Sequence, residues 1–305
     1  MILKEFIEDL ISSRTKSGRQ GTAHVYRCML HSFLRFCDRV DVKFYDITSD
    51  LLTDYENWLR TQELSWNTVS TYLRSLRAVY NYAMEEGKAP FVPKLFKSVY
   101  TGVNVQHRRA VKAETIAKVL NFKNRTESVQ LDFAKDLFTL LFLLRGIPFV
   151  DLAHLRRSDL KDGMITYRRQ KTGSWICVSV EPEAMKILQK YADIRIHSAF
   201  LLPILDEKVA DDSVAAYRSY QCQLRKFNFL LSCLATEAGI QEKITSYTAR
   251  HSWATIAFHL KVPVGLISNA MGHSSITVTE TYLKPFNEEE IQKVNKKIIS
   301  YVHSA

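Results

Sequence analysis

Cysteine is scarce in this sequence, and its few occurrences fit neither a disulfide framework nor a metal site. The chain has five cysteines in 305 residues, an odd number, and no two of them form a C-x-x-C pair. Scattered cysteines of this kind are typical of reduced thiols in a cytosolic protein. His251, His259 and His273 also lack the close spacing of zinc ligands. We therefore expect a fold that forms without disulfides and without bound metal.

Apolar runs long enough to cross a membrane are missing as well. The opening residues 1–6 are amphipathic with an early acidic residue, unlike a signal peptide. No stretch approaches the roughly 20 apolar residues of a membrane helix. Internal repeats and low-complexity stretches are also absent, while 46% of the residues are hydrophobic, enough for a buried core. The sequence thus predicts a folded, soluble, cytoplasmic protein of two domains or one large one.

Acidic residues are outnumbered by basic ones, and the excess is uneven along the chain. The 42 Lys and Arg residues face 32 Asp and Glu residues, for a net charge of +10. Residues 1–105 carry 14 basic against 12 acidic residues, and residues 106–305 carry 28 against 20. A basic balance of this size favours an anionic partner. We expect nucleic acid to be that partner.

Helical spacing of apolar residues dominates the first hundred residues. Thr48 is a plausible N-cap, and Gly87 is typical of a residue that ends a helix. No alternating strand pattern interrupts this region, so residues 1–87 are predicted to form a small all-helical domain. The predicted helices cover residues 2–12, 22–39, 49–61 and 67–86.

Residues 88–110 have a different character. Pro90, Pro93 and Gly102 break any regular pattern, and Arg108 and Arg109 add basic charge near the end. We predict an inter-domain linker here, with Arg108 and Arg109 placed to contact a phosphate backbone. The rest of the chain, 111–305, is predicted to form a second domain.

A β-hairpin signal stands out within this second, otherwise helical domain. Segments 164–170 and 175–180 are rich in β-branched and aromatic residues and flank the turn Lys171-Thr172-Gly173-Ser174. The predicted fold class is therefore mostly α with a small antiparallel sheet. The predicted helices cover 113–121, 129–144, 148–156, 182–192, 213–238, 248–260, 263–270 and a charged tail helix at 287–302.

Three residues near the C-terminus form a chemically suggestive series. Arg250 opens a predicted helix, His273 follows a glycine, and Tyr282 comes nine residues after His273. A tyrosine hydroxyl is a suitable nucleophile for a phosphodiester, and a guanidinium with an imidazole can hold the charge that builds on the phosphoryl oxygens. The neighbouring His251 is expected to be structural.

These spacings resemble the tyrosine recombinase (phage integrase) family, whose pattern runs His-x-x-Arg, then Gly-His, then the nucleophilic tyrosine. The resemblance is strong over 244–284, good over 67–82 and 145–171, and loose elsewhere. It implies a site-specific DNA recombinase of the integrase or invertase type, with a SAM-like core-binding domain and a catalytic domain. It further implies that Tyr282 cleaves double-stranded DNA through a 3′-phosphotyrosine, without metal, ATP or another cofactor.

The resemblance also assigns a role to Lys171 and exposes two departures from the family pattern. Family members place a lysine in the hairpin of the catalytic domain, and Lys171 matches it as the acid that protonates the leaving 5′ oxygen. The leading histidine of His-x-x-Arg is Tyr247 here, which can still donate a hydrogen bond to phosphate. The first family arginine is displaced by Pro148, and Arg145, three residues earlier, is predicted to take its place.

Further DNA contacts and partners follow from the same resemblance. Arg74 and Arg77 lie one helical turn apart in a segment similar to the core-binding domain, so both can face one duplex. Family membership would imply four protomers on two DNA sites, with accessory DNA-bending proteins as compatible partners and the nucleoid as the place of action. The tail helix has apolar spacing for docking on a neighbouring protomer or equally on its own domain.

Three other functions compete with recombination. A DNA-binding regulator on the same scaffold would explain Pro148 and Tyr247, and strand cleavage would exclude it. A type IB topoisomerase would share the chemistry but relax supercoils without a specific site. A metal-dependent nuclease is disfavoured because no carboxylate cluster is present.

Overall fold

A computed structural model of the chain describes residues 2–103, 109–124, 127–194, 198–206, 213–283 and 288–303. The chain divides into two compact units. One comprises Met1–Val105 with Val209–Tyr217, and the other comprises Gln106–Lys208 with Arg218–Ala305.

The described part of the first unit contains four α-helices, α1 (Leu3–Lys16), α2 (Gln20–Cys37), α3 (Ser49–Thr61) and α4 (Trp66–Glu85). Thr48 caps α3, as predicted, because its hydroxyl accepts a hydrogen bond from the Leu51 amide. The helices bury one apolar stripe each against a common core. Its largest fully buried side chains include Met29, Phe33, Tyr55, Leu59, Leu73 and Leu76.

The core of the first unit continues past α4. Gly87, with a φ of 68°, turns the chain immediately after the helix. Ala89, Leu95, Phe96 and Val99, which lie in the segment predicted as a linker, are buried in the same core as the four helices. The predicted boundaries of 1–87 and 88–110 remain predictions.

Helices also dominate the second unit. The helix α6, formed by Val129–Leu143, is buried on nearly every side, because Leu137, Phe138, Leu140 and Leu141 all have less than 3% of their surface exposed. The second core forms around it. In the described residues from 109 onward, the helices are α5 (Ala113–Leu120), α6 (Val129–Leu143), α7 (Phe149–Ala153), α8 (Pro182–Ile194), α9 (Val214–Glu237), α10 (Ser246–His259), α11 (Val264–Ala270), α12 (Ile276–Glu280) and α13 (Glu288–His303).

A small antiparallel sheet in the second unit has the order β1-β2-β3, with β1 Leu160–Lys161, β2 Met164–Arg168 and β3 Trp175–Ser179. Ile165 pairs with Val178, and both side chains face the core. The alternation of buried and exposed residues in β2 fits a strand with one solvated face. The sheet holds the predicted hairpin turn at Lys171.

The predicted fold class, mostly α with a small antiparallel sheet, is confirmed. The differences concern helix bounds and short elements: α1 ends four residues later and α7 three residues earlier than predicted, β1 and α12 were not predicted, and the hairpin strands end two and one residues earlier than expected. In the described residues, no helix combines the length and apolar character needed to span a bilayer. The five cysteines are free.

Candidate active site

The helix α10 places Arg250 inside the second unit, where only 3% of its surface is exposed. Its guanidinium donates to three acceptors. Nη1 donates to the Gly146 carbonyl over 2.6 Å, and Nη2 donates to the Met271 carbonyl over 2.9 Å and to Nε2 of His273 over 2.7 Å. Two separate turns therefore fix the orientation of the guanidinium plane.

Gly146 is required where α6 is followed by the turn against Arg250. Its φ is 70°, in the region that only glycine occupies at low cost. A Cβ at this position would lie 2.9 Å from Cα of Arg250. The close approach lets the Gly146 carbonyl reach the guanidinium, so the need for glycine here is geometric.

His273 sits in the turn between α11 and α12. Its Nε2 accepts from Arg250, since a guanidinium has only donors, and Nδ1 therefore carries the proton and donates to Oγ1 of Thr279 over 2.8 Å. Burial, together with the charges of Arg250 and Arg169, lowers the pKa of His273 to about 4. The imidazole is therefore neutral at physiological pH.

Tyr282 lies two residues after α12, half-buried, against the residues of this site. Its ring centroid is 5.0 Å from that of His273 and 5.4 Å from the guanidinium carbon of Arg250. Its backbone is held by the Thr255 hydroxyl, which donates to the Tyr282 carbonyl over 3.1 Å. The three residues that the sequence singled out first, Arg250, His273 and Tyr282, are thus in mutual contact.

Tyr247, the residue in place of the family histidine, borders the same group. It is 45% exposed, and the guanidinium carbon of Arg109 lies 5.6 Å from its ring centroid. Partial burial and the nearby Tyr282 raise the pKa of its phenol. Tyr247 therefore offers a neutral hydroxyl as a hydrogen-bond donor beside Tyr282.

Lys171 projects from the hairpin turn and is exposed. The turn itself is rigidly braced, since the Gly173 amide donates to the Arg169 carbonyl over 2.8 Å and the Arg169 amide donates to the Ser174 carbonyl over 2.9 Å. The amide of Gln170 also donates to Oδ1 of Asp151 over 2.9 Å. The position of the Lys171 backbone is therefore fixed although its side chain meets solvent.

Arg145 immediately precedes Gly146 and is half-buried, with a left-handed φ of 57°. Within the described part of the chain, no hydrogen bond or ion pair engages its side chain. Pro148, in the place of the family arginine, is the N-cap of α7. The backbone around Arg145 thus approaches the site, but among the described residues no hydrogen bond or ion pair directs its guanidinium there.

Arg169 is a site residue that the sequence reasoning missed. Its Nη1 donates to the Gly272 carbonyl over 2.9 Å, and its Nε forms a 3.4 Å ion pair with Oδ2 of Asp151. Its charge contributes to the lowered pKa values of both Arg250 and His273, so it lies close to both. A sequence signal existed: Arg169 follows β2 directly and precedes the catalytic-lysine candidate by two residues.

Asp151, the acid of the Arg145–Asp151 segment, is the buried anchor of Arg169. Only 1% of its side chain is exposed, and it accepts hydrogen bonds from Gln170 and Arg169. Burial raises the pKa of its carboxyl, while both hydrogen-bonding partners act in the opposite direction. The carboxylate of Asp151 thus links α7 to the hairpin turn, which gives the acid of the Arg145–Asp151 segment a structural role.

Two sequence models of protein families match the chain. One describes a phage integrase SAM-like domain and matches residues 2–97. The other describes the phage integrase family and matches residues 109–289, more than half of the chain. The chain belongs to the phage integrase family. This membership confirms the resemblance drawn from Arg250, His273 and Tyr282, and with it the prediction of a tyrosine-type site-specific recombinase.

Curated relatives agree with the family along almost the whole chain. A tyrosine recombinase XerC of Leptospira interrogans is 23% identical over 296 residues, covering 96% of this chain and 91% of that protein. A tyrosine recombinase XerD of Listeria monocytogenes is 23% identical over 300 residues, covering 92% and 93%. The regulator and topoisomerase alternatives are not favoured by these similarities.

Solved structures share the fold. A lambda integrase dimer bound to a core site has a TM-score of 0.67 at 16% identity and covers 92% of this chain and 95% of that one. The Tn1549 transposon integrase in complex with transposon right-end DNA also has a TM-score of 0.67 at 16% identity, covering 98% and 100%. The architecture of an integrase is therefore present in both units.

The candidate DNA-binding arginines Arg74 and Arg77 belong to the first unit, whereas Arg109 belongs to the second. Arg74 and Arg77 are exposed on α4; Nε of Arg74 donates to the Ser70 carbonyl, and Nη1 of Arg77 donates to the Thr101 hydroxyl. Arg109 is exposed and contacts Tyr247, whereas Arg108 lies outside the described residues. Among the described residues, no group of three or more His, Cys, Asp or Glu side chains is placed to hold a metal ion.

Proposed function

We propose that the chain is a site-specific DNA recombinase of the integrase type in which Tyr282 is the nucleophile. The observation that carries this proposal is the contact of Tyr282 with Arg250 and His273 inside one unit. A phenol next to a buried guanidinium is suited to attack on a phosphodiester, because the cation stabilises the charge of the pentacoordinate transition state.

The reaction requires one bond to form as another breaks. Oη of Tyr282 gives up its phenolic proton to solvent as it attacks phosphorus, the bond from phosphorus to the 5′ oxygen breaks, and a 3′-phosphotyrosine and a free 5′ hydroxyl result. Lys171 supplies the proton to the departing oxygen. Rejoining reverses the step with a 5′ hydroxyl of a partner strand, and the ester conserves the bond energy, so neither ATP nor metal takes part.

Arg250 and His273 act on the phosphate as a hydrogen-bonded pair. Arg250 remains a cation even though burial lowers its pKa, because a guanidinium does not lose its proton in proteins. His273 is neutral and orients the guanidinium through Nε2. Tyr247 adds a phenolic donor where other family members carry histidine.

We assign the second cation of the site to Arg169 in preference to Arg145. Arg169 acts electrostatically on Arg250 and His273 and is fixed by the Gly272 carbonyl and Asp151. Arg145 is the alternative that the sequence suggests, and it has only its proximity to Gly146 in its favour. Two positive groups are needed to balance a phosphoryl group whose negative charge grows in the transition state.

Double-stranded DNA is the partner. The protein binds it as a tetramer in the synaptic complex. The basic excess of residues 106–305 and the exposed Arg74 and Arg77 support a long anionic ligand. A lambda integrase tetramer bound to a Holliday junction has a TM-score of 0.66 to this chain. The protein acts in the cytoplasm on nucleoid DNA, and accessory DNA-bending proteins are compatible partners.

The tail helix α13 is suited to link protomers. Its apolar residues Val294, Ile298, Ile299 and Val302 are between 46% and 66% exposed. An amphipathic helix with an open apolar face gains free energy by docking, and a neighbouring catalytic unit provides a partner surface in a ring of protomers.

Formation of a covalent adduct tests the proposed function. Labelled duplexes from the regions flanking the gene, nicked to trap cleavage, are incubated with protein and EDTA, and SDS-stable adducts are counted. We expect an adduct with the wild type and with Tyr45→Phe, a control at a 72% exposed tyrosine, and none with Tyr282→Phe. Specific binding without an adduct would favour the DNA-binding regulator, and relaxation of supercoils without a specific site would favour a topoisomerase.

A further inference from the structure

The Tyr282 ring lies against two imidazoles, and the proposed chemistry uses only one of them. Its centroid is 5.0 Å from that of His273, with the ring planes 28° apart. It is 4.5 Å from the centroid of His251, with the planes 32° apart. His251 is buried, with 8% of its surface exposed, and follows Arg250 directly in α10.

The geometry of the His251 contact is that of a tilted ring pair, closer to face-to-face than to edge-on. Aromatic rings attract each other at centroid separations of about 4.5–7 Å, and an offset face-to-face arrangement fixes both the distance and the tilt of the partner ring. A nitrogen that takes a proton from a hydroxyl uses its in-plane lone pair, which requires an edge-on approach. Ring faces tilted by only 32° do not present that edge and instead hold the phenol in place.

The same face of α10 holds the backbone around Tyr282. Thr255 lies four residues after His251, so both project from one side of the helix, and the Thr255 hydroxyl donates to the Tyr282 carbonyl. Ala254 packs in a buried cluster with Leu283, the residue after the nucleophile. We call His251, Ala254 and Thr255 the α10 seat.

The seat matters because Tyr282 has little local support of its own. It follows α12, which has five residues, and its amide donates to the Thr279 carbonyl as the last turn of that short helix. A short helix contributes little stability by itself, so tertiary contacts determine where the segment lies. A displacement of about 1 Å of a reacting group can reduce a rate about 100-fold.

We propose that His251 is a positioning residue: its imidazole face stacks on the phenol of Tyr282 and, with Thr255, holds the nucleophile in line for attack on DNA. The inference rests on the proposed function. It assigns a specific task to a histidine that sequence analysis treated as structural.

Paired substitutions test the stacking role. His251→Phe keeps a flat ring, and His251→Leu has comparable bulk without one. We measure the single-turnover rate of adduct formation on nicked DNA at saturating protein, together with DNA affinity and the melting temperature. His259→Phe and His259→Leu, at an exposed position of the same helix, are the matched controls.

The presence of an aromatic ring at position 251 should determine the rate of adduct formation. We expect His251→Phe to stay within about 3-fold of the wild-type rate with the same pH profile, and His251→Leu to fall about 100-fold with unchanged DNA affinity. An equal loss in both variants with an altered pH profile would overturn the proposal in favour of proton transfer by His251. A wild-type rate for His251→Leu would overturn it outright.

A measurement without DNA keeps the inference separate from the proposed function. In protein with ¹³C-labelled tyrosine, stacking shifts the Tyr282 ring signals, which Tyr282→Phe identifies by their disappearance. We expect these signals to keep their positions in His251→Phe and to move toward free tyrosine in His251→Leu. If His251→Leu does not fold, Thr255→Val provides the second variant, with a rate lowered several-fold; unmoved ring signals and an unchanged rate there would sink the α10 seat.

Discussion

Arg250 donates a hydrogen bond from Nη2 to Nε2 of His273 over 2.7 Å, and His273 donates one from Nδ1 to Oγ1 of Thr279 over 2.8 Å. The direction of this chain follows from the guanidinium, which has donors only. It establishes one tautomer of His273 and aligns a cation, a neutral imidazole and a buried hydroxyl. Each of these two hydrogen bonds can be removed separately by substitution.

The first prediction concerns the stability of the protein in acid. The folded-state pKa of His273 is lowered to about 4, below the ordinary value of 6.5. Between these values the unfolded chain binds a proton that the folded chain excludes, so stability present above pH 6.5 is lost as the pH falls toward 4. Because the side chain is partly exposed, solvent screening limits the effect to about 1 kcal/mol.

Urea denaturation measures this effect in the wild type and in His273→Asn at about pH 7 and about pH 5. We expect the free energy of unfolding of the wild type to fall more between the two pH values than that of the variant. Parallel losses in the two proteins would show that His273 titrates normally in the folded state.

A second prediction concerns Thr279, which is fully buried. Thr279→Val has nearly the same shape but leaves the Nδ1 proton of His273 without its acceptor, which costs about 1–3 kcal/mol. We expect a lower melting temperature and an adduct rate reduced about 10-fold, because the imidazole loses its fixed orientation. Thr279→Ser keeps the hydroxyl and is the control. Equal melting temperatures and adduct rates for Thr279→Val and Thr279→Ser would argue against the hydrogen bond.

A third prediction separates the two candidate arginines. Arg169→Lys keeps a charge but loses the planar fork that reaches Asp151 and Gly272, so we expect the adduct rate to fall about 10–100-fold. Arg145→Gly removes the other candidate side chain and also relieves its left-handed φ. That variant should be more stable by up to about 1 kcal/mol and retain activity. A stable but inactive Arg145→Gly would return the second cation to Arg145.

A fourth prediction tests the buried acid. Asp151→Ala leaves Arg169 without its ion-pair partner and the Gln170 amide without its acceptor. Breaking a buried pair by removing one side costs about 3–5 kcal/mol. Asp151→Asn keeps an acceptor for the Gln170 amide, so its free energy of unfolding should fall clearly less than that of Asp151→Ala. Chemical denaturation of both variants decides, and similar free energies of unfolding would mean that the amide contact is unimportant.

A fifth prediction identifies the general acid. Lys171→Ala should lower the adduct rate about 100-fold, since the 5′ oxygen then departs without a proton. A substrate with sulfur in place of that bridging oxygen has a leaving group that needs no protonation, so it should restore the rate for Lys171→Ala. Arg250→Ala acts on the phosphate oxygens and should not be restored. Equal recovery of both variants would remove Lys171 from this role.

Local rules predicted much of this molecule. The Thr48 cap, the end of α4 at Gly87 and the hairpin around Lys171 depend on neighbours in the chain, and residues 49–61 were predicted with the observed bounds. The helix α12 was missed because five residues in a threonine-rich segment carry too little periodicity for a pattern.

The unpredicted parts of the site depend on contacts between distant segments. Arg169 acquires its place from the carbonyl of Gly272, 103 residues further along the chain. His251 acquires its place from Tyr282, which the packing of the residues after α12 against α10 brings near. No spacing rule connects such pairs in a single sequence, whereas a family motif already encodes the relation of Arg250 to His273.

The packing of Gly272 against the hairpin has a consequence for control of the enzyme. A Cβ at Gly272 would collide with Ile176 of β3, and the Gly272 carbonyl is bound by Arg169 at the end of β2. The strands that carry the Lys171 turn and the turn that carries His273 are therefore packed and hydrogen-bonded to each other. Displacing the hairpin strands would remove the Arg169 bond to the Gly272 carbonyl, so the supports of Lys171 and of His273 are lost together.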